Sequence, residues 1–215
     1  MALDLGVFCK STLDGEAVDH CFSSLFGLGH NADPSYLDWL MTAWGWTLAV
    51  AGLGLTIALI LGGVMGTLRT LPDTGRMSRV LVRLATAWVE LFRNIPVLVQ
   101  VFLWYHVIPA FFVPLKALPS YWLVSIALGF FTSARIAEQV RAGIQSLPSG
   151  QRAAATALGL TTTQTYRYII LPMALRIVIP PLTSESMNAV KNSSVAFAVS
   201  VPELTLFAMQ AQEET

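Results

Sequence analysis

Residues 40–68 read LMTAWGWTLAVAGLGLTIALILGGVMGTL, twenty-nine positions without one ionisable side chain. A bilayer's hydrocarbon core is crossed by about 20 apolar residues in a helix, so this run predicts a transmembrane helix with length to spare. Trp44 and Trp46 near its start suit an interfacial anchor. Ala58, Gly62 and Gly66 recur every fourth position, a spacing that either lets another helix approach closely or reflects the general abundance of glycine.

The rest of the chain fits the same solvent. Of 215 residues, 54% are hydrophobic and 12% charged, about half the roughly 25% charge of a soluble domain. The formal net charge is zero, which gives no electrostatic basis for binding nucleic acid. Three further apolar runs are expected to span. One covers residues 84–112 and reads as a single long helix kinked at Pro96; the others cover 121–144 and 171–201. All three carry charged groups or prolines, Glu90 and Arg93 in the first, Arg135 and Glu138 in the second, and Pro180, Pro181, Glu185 and Lys191 in the third.

Basic residues in short loops mark the cytoplasmic side. Arg69, Arg76, Arg79 and Arg83 fall between the first two runs, and Arg152 and Arg167 between the last two, with Arg141 at the edge. The N-terminal segment holds Lys10 against six acidic residues, and residues 113–120 hold only Lys116. The N-terminus is therefore expected outside and residues 147–172 inside. The first 38 residues lack the basic start and apolar core of a signal peptide and read as an external lead segment. Cys9 and Cys21 lie there, where a disulfide is chemically possible. His20, His30 and His106 have no metal-ligand spacing.

The inner loop contains SGQRAAATALGLTTTQTYRYIILP, residues 149–172. Alanine gives residues 151–158 high helix propensity, Ser146 or Ser149 can cap the start, and Gly159 is a natural left-handed stop. A second helix is expected from about Thr161–Thr163. The small apolar face, Ala154, Ala157 and Leu158, suits either a groove on another protein or the membrane surface.

The order Ala154, Ala155, three residues, Gly159, nine residues, Ile169, one residue, Leu171 and Pro172 resembles the cytoplasmic loop of permease subunits in binding-protein-dependent ABC importers. The family's acidic residue before the two alanines is Ala153 here, so its role does not carry over. The segments ELFRNIPVLVQVFLWYHVIP, TSARIAEQVRAGIQSLPSGQ and YRYIILPMALRIVIPPLTSESMNAVKNSS are similar to the polar amino acid branch, and most to glutamate/aspartate importers. The resemblance implies an all-α membrane protein with the type I importer permease fold. In this branch five transmembrane helices are typical, so the four runs correspond to the first four and a fifth is expected to be missing, with 39–215 an incomplete permease domain. It further implies a second permease subunit, identical or homologous, a periplasmic amino acid-binding protein, and two ATP-binding subunits that hold ATP and Mg. No cofactor is expected in this chain, and it has no phosphate-binding G-x-x-x-x-G-K-[ST] loop. Gln151, Arg152, Ala154, Ala155, Leu158 and Gly159 would form the helix that couples to the ATPase.

Polar groups inside spans are costly in lipid and point to function. Arg135, Glu138 and Gln139 lie within one turn of the third run. Glu185, Asn188, Lys191 and Asn192 recur at three- and four-residue spacing in the fourth, on one helical face. These seven are the candidate substrate pathway. A guanidinium binds a carboxylate through two parallel hydrogen bonds, and acidic amino acid importers resemble this chain in having arginine at the position of Arg135, where related permeases often have tyrosine. Alternatively, Arg135 with Glu138, and Lys191 with Glu185, are internal ion pairs. Arg93, Pro96, Pro172 and Pro180 are candidate gate or kink positions, with Arg93 also able to neutralise Glu90. A gradient-driven secondary amino acid transporter would also place charges in broken helices. It would not need a docking helix in its inner loop. Ser184, Ser186 and Lys191 have no partner that would make a catalytic centre.

Overall fold

A computed structural model describes residues 36–73 and 75–213. The lead segment up to residue 35, with Cys9, Cys21, His20 and His30, lies outside the described residues. Those described are helical throughout their regular structure: α1 (Tyr36–Leu68), α2 (Arg76–Asn94), α3 (Val97–Phe102), α4 (Ile108–Phe111), α5 (Ser120–Gln145), α6 (Ser149–Ala157), α7 (Thr162–Thr165), α8 (Leu171–Asn192) and α9 (Leu204–Glu213). Three helical stretches, Tyr36–Leu68, Ser120–Gln145 and Thr162–Val199, are long and apolar enough to cross a membrane, and a bent pair makes a fourth if counted as one span. The described residues fall into two compact units, one within 50–195 and the other combining 36–49 with 196–213.

In the larger unit α1 packs closely on α5. A Cβ added to Gly62 would sit 2.7 Å from Ile136 Cβ and from the Ser133 carbonyl, and one on Gly66 would sit 2.6 Å from the Ala137 carbonyl. Only glycine fits where two backbones approach in this way. Ala58, four residues before Gly62 on the same stripe, is fully buried. The four-residue repeat is thus a packing seam. Gly63, one position off the stripe, has nothing near its added Cβ.

The second apolar run is broken rather than kinked, which corrects the expectation of one continuous helix over residues 84–112. α2 ends at Asn94, Ile95 is extended at φ −97° and ψ 127°, and Val97–Phe111 leaves at 104° to α2. The cause is Pro96: its ring excludes the preceding residue from the helical region. The buried Gln100 side chain closes the break, donating to the carbonyls of Phe92 (2.8 Å) and Ile95 (2.9 Å). Two π turns, Leu103–Val107 and Tyr166–Ile170, each precede a proline by two residues, Pro109 and Pro172. A proline ring clashes with the carbonyl four residues back, and the widened turn moves that carbonyl aside. Pro180 and Pro181 lie inside α8, which runs on through them.

In the smaller unit Trp39 meets Phe207 edge-on at 4.9 Å, and Thr47 Oγ1 accepts a hydrogen bond from the Leu204 amide at 3.1 Å. α9 begins on Glu203, whose buried carboxylate accepts from the amides of Thr205 and Leu206. Glutamate is not among the favoured N-cap residues, which is why this helix start is not read from sequence.

Candidate functional site

α5 carries its charges on two sides and so builds two separate clusters. Arg135 and Gln139, four residues apart, share the face towards α8. Arg135 Nε lies 2.6 Å from Glu185 Oε1, and Gln139 Nε2 donates to Glu185 Oε2 at 3.3 Å. Glu185 is buried, its side chain 3% exposed, whereas that of Arg135 is 43% exposed. A buried carboxylate needs a cation and hydrogen bonds to offset lost hydration, and here one guanidinium edge and one amide supply them. The Nε–H is not aligned on Oε1, so that oxygen is in charge contact without accepting a hydrogen bond; Gln139 Oε1 is likewise buried with no donor. The terminal nitrogens of Arg135 have no acceptor among the described residues. The fork that could grip a carboxylate is free, while its inner edge is held.

Glu138, one position from Gln139, points to a different side of α5. It takes Arg69 Nη1 at 2.6 Å, Arg141 Nε at 2.9 Å and Arg93 Nη1 at 3.5 Å. The expected Arg135–Glu138 and Lys191–Glu185 pairs are therefore replaced by Arg135–Glu185 and a three-arginine cage on Glu138. Adjacent helical residues point about 100° apart, which is what separates the clusters. Arg93 sits by Glu138 rather than by Glu90. Lys191 is exposed and makes no ion pair among the described residues, and Asn188 and Asn192 are half-buried on α8. Sequence reading counted Arg69 and Arg141 only as loop charges. Their signal was position: Arg69 directly follows the end of α1, and Arg141 stands in the last turns of α5, three residues after Glu138.

The loop between α5 and α8 is folded, not trailing. Gly159 is left-handed at φ +77°, and its amide bonds the Thr156 carbonyl (3.0 Å) while the Leu160 amide bonds that of Ala155 (3.1 Å). These are the two hydrogen bonds of a Schellman stop. Thr161 then starts α7 with a reciprocal capping box to Gln164. At the other end Pro148 holds the cap position and Ser149 is the first helical residue, without a side-chain cap, so neither Ser146 nor Ser149 acts as expected. Proline's missing N–H and fixed φ explain why it serves there.

Ala154, Ala157, Leu158 and Gly159 face outward, with Leu158 78% exposed. Ala155 is buried, which removes it from any outer face. Gln151 is half-buried, and Arg152 stacks over the Tyr166 ring at 5.4 Å. The Tyr166 hydroxyl donates to the Thr70 carbonyl at the end of α1, and Ile144, Tyr166, Ile170 and Ala174 form one buried cluster. The loop helix is thus braced against the spans while presenting a small apolar surface.

Long apolar helices, a buried ion pair between two of them and a loop braced against their ends define an integral membrane protein. Residues 58–214 match the family described as the binding-protein-dependent transport system inner membrane component, and the chain belongs to that family. It is 44% identical over 180 residues to the glutamate/aspartate import permease protein GltJ of Escherichia coli K12, covering 79% of this chain and 71% of that one. It is 40% identical over 149 residues to the probable glutamine ABC transporter permease protein GlnM of Bacillus subtilis 168, covering 69% and 65%. Among solved structures, a crystal structure of an amino acid ABC transporter with histidines aligns at TM-score 0.70 and 27% identity, over 92% of this chain and 84% of that one. The inward-facing MetNI methionine ABC transporter shares the fold at TM-score 0.68 and 23% identity, over 81% and 80%.

The protein is an inner-membrane permease subunit of an amino acid ABC importer with the type I fold. ATP hydrolysis belongs to a separate subunit, and a substrate-binding protein is a partner, as in the family. This membership replaces the gradient-driven alternative.

Proposed function

We propose that this subunit passes acidic amino acids, glutamate and aspartate, with Arg135 recognising the substrate's side-chain carboxylate. The observation that carries the reading is the guanidinium of Arg135, held on its Nε edge by buried Glu185, with its terminal nitrogens unpartnered among the described residues. A fork so fixed loses little freedom on binding a carboxylate through both terminal nitrogens. Asn188, Lys191 and Asn192 continue the polar face of α8, and the Glu138 cage serves structure, tying α1, α2 and α5. The name of the E. coli relative agrees with this substrate class, and the glutamine relative marks the neutral alternative.

Ala154, Leu158 and Gly159, flanked by Gln151 and Arg152, dock in the ATP-binding subunit. With Ala153 in place of an acid, docking rests on helix shape and apolar contact. The loop 147–172 faces the cytoplasm and the N-terminus the periplasm, within a permease domain of residues 39–215. Two permease subunits, identical or homologous, enclose the pathway; ATP and Mg stay on the ATPase pair.

The test is uptake by the full complex, permease pair, ATPase and binding protein, in sealed vesicles. ATP-dependent, vanadate-sensitive uptake of labelled glutamate and aspartate, at least tenfold above glutamine at equal binding-protein saturation, is expected on a carboxylate-recognition basis, a difference of about 1.4 kcal/mol or more. Equal or greater uptake of glutamine contradicts the acidic assignment.

A further inference from the structure

We infer that α2 is an interfacial helix that binds anionic phospholipid headgroups of the inner leaflet through Arg76, Arg79 and Arg83. The inference rests on the orientation proposed above, in which the α1–α2 turn is cytoplasmic.

Three features of the helix lead there. Its direction comes first. Val97–Phe111 runs back along α5, Trp104 meeting Phe130 edge-on at 5.0 Å and Tyr105, His106 and Pro109 sharing a cavity with Ser120 and Leu123. α2 turns off this direction by 104°, so it lies across the spans rather than along them. It sits at the level of Ala134 and Ala137 in the second half of α5, against which Val89 is buried, with Trp88 Nε1 donating to Ser133 Oγ at 3.1 Å.

The second feature is the division of its surface. Ala85 and Val89 are buried towards the protein. The exposed arc has two halves by helical position: Arg76, Arg79 and Arg83 at spacings of three and four, and Met77, Val80, Leu84 and Leu91 on the neighbouring stripe. Met77 is 72% exposed and Leu84 64%. A helix in the headgroup plane needs this three-part division, one face on protein, one edge in acyl chains and one edge on charge.

The third is charge. Arg76 and Arg83 have no ion pair among the described residues, and Arg79 meets Asp73 at 3.2 Å with both side chains largely exposed, a contact worth little in water. Glu90 is the acid at the far end of this edge. A basic strip continuous with an apolar one, one short turn from the end of α1, matches an anionic bilayer surface. A second copy meeting this face by two-fold symmetry would set the same arginines against each other.

The experiment uses the complete complex in vesicles, Cys9 and Cys21 replaced by serine, with an environment-sensitive fluorophore on Leu84→Cys. Quenching by brominated phosphatidylglycerol is compared with quenching by brominated phosphatidylcholine. Stronger quenching by the anionic lipid is expected. At roughly fivefold per guanidinium near an anionic surface, with Arg79 shared with Asp73, R76Q/R79Q/R83Q reduces that preference on the order of thirty-fold, whereas the triple lysine variant retains it. Equal quenching by the two lipids overturns the inference, as does a label reached only by aqueous iodide or shielded from both lipids by a protein partner. A cysteine at Gly150, probed with membrane-impermeant maleimide, reports the loop's side separately. Labelling from outside overturns both the orientation and the inner-leaflet inference; an internal loop with equal quenching overturns this inference alone.

Discussion

Glu185 is held by two side chains of the neighbouring helix, and its neutralisation should release the charged one, Arg135. Glu185→Gln keeps the shape and an acceptor oxygen but removes the charge opposite Arg135. Breaking a buried pair by removing one partner costs about 3–5 kcal/mol; with Arg135 43% exposed, solvent screening lowers the expectation to about 1–2 kcal/mol. The variant should melt at lower temperature in detergent and take up glutamate poorly. An unchanged midpoint would show that the pair does not hold α5 to α8. That Arg135, Gln139 and Glu185 are polar groups set inside apolar runs was legible in the sequence. Who pairs with whom was not. Arg135 and Glu138, three residues apart, looked like partners, yet Glu138 answers to Arg69, sixty-nine positions away, and only the packing of α1 on α5 brings the two together.

At the scale of elements, local chemistry was read well where it is local. The Gly159 stop and the Thr161 start are decided within six residues, and both are found where the sequence places them. The consequence is specific to backbone geometry. At φ +77° asparagine is tolerated, while a β-branched residue is a true outlier and pays about 1–2 kcal/mol for left-handedness. Gly159→Asn should therefore keep ATPase co-purification and Gly159→Val should lose most of it, both remaining inserted in the membrane. Equal retention by the two would mean that the turn's shape plays no part in docking. The broken second span was misjudged for a non-local reason. Pro96 announces a deviation, but its size depends on Gln100 reaching the carbonyls of Phe92 and Ile95 and on α2 finding a seat on Ala134 and Ala137.

For the whole molecule, the glycine stripe of α1 is the clearest link from sequence to architecture. With no hydrophobic effect to drive helices together in lipid, close packing and polar contacts must do so. Gly62 and Gly66 supply the first, and the cage on Glu138 supplies the second at the same seam. Composition and run length fixed the solvent, and loop charges proposed the orientation. The proposed function rests on one pair of helices, α5 and α8, joined by the loop that is proposed to meet the ATPase, so a force on that loop would act directly on the helices bearing Arg135 and Glu185. The most direct test is the ratio of glutamate to glutamine uptake by the reconstituted complex carrying Arg135→Ala and Arg135→Lys. The ratio should fall at least tenfold in the alanine variant and partly in the lysine variant, which keeps charge but not the two-pronged grip. An unchanged ratio in both would contradict recognition by Arg135.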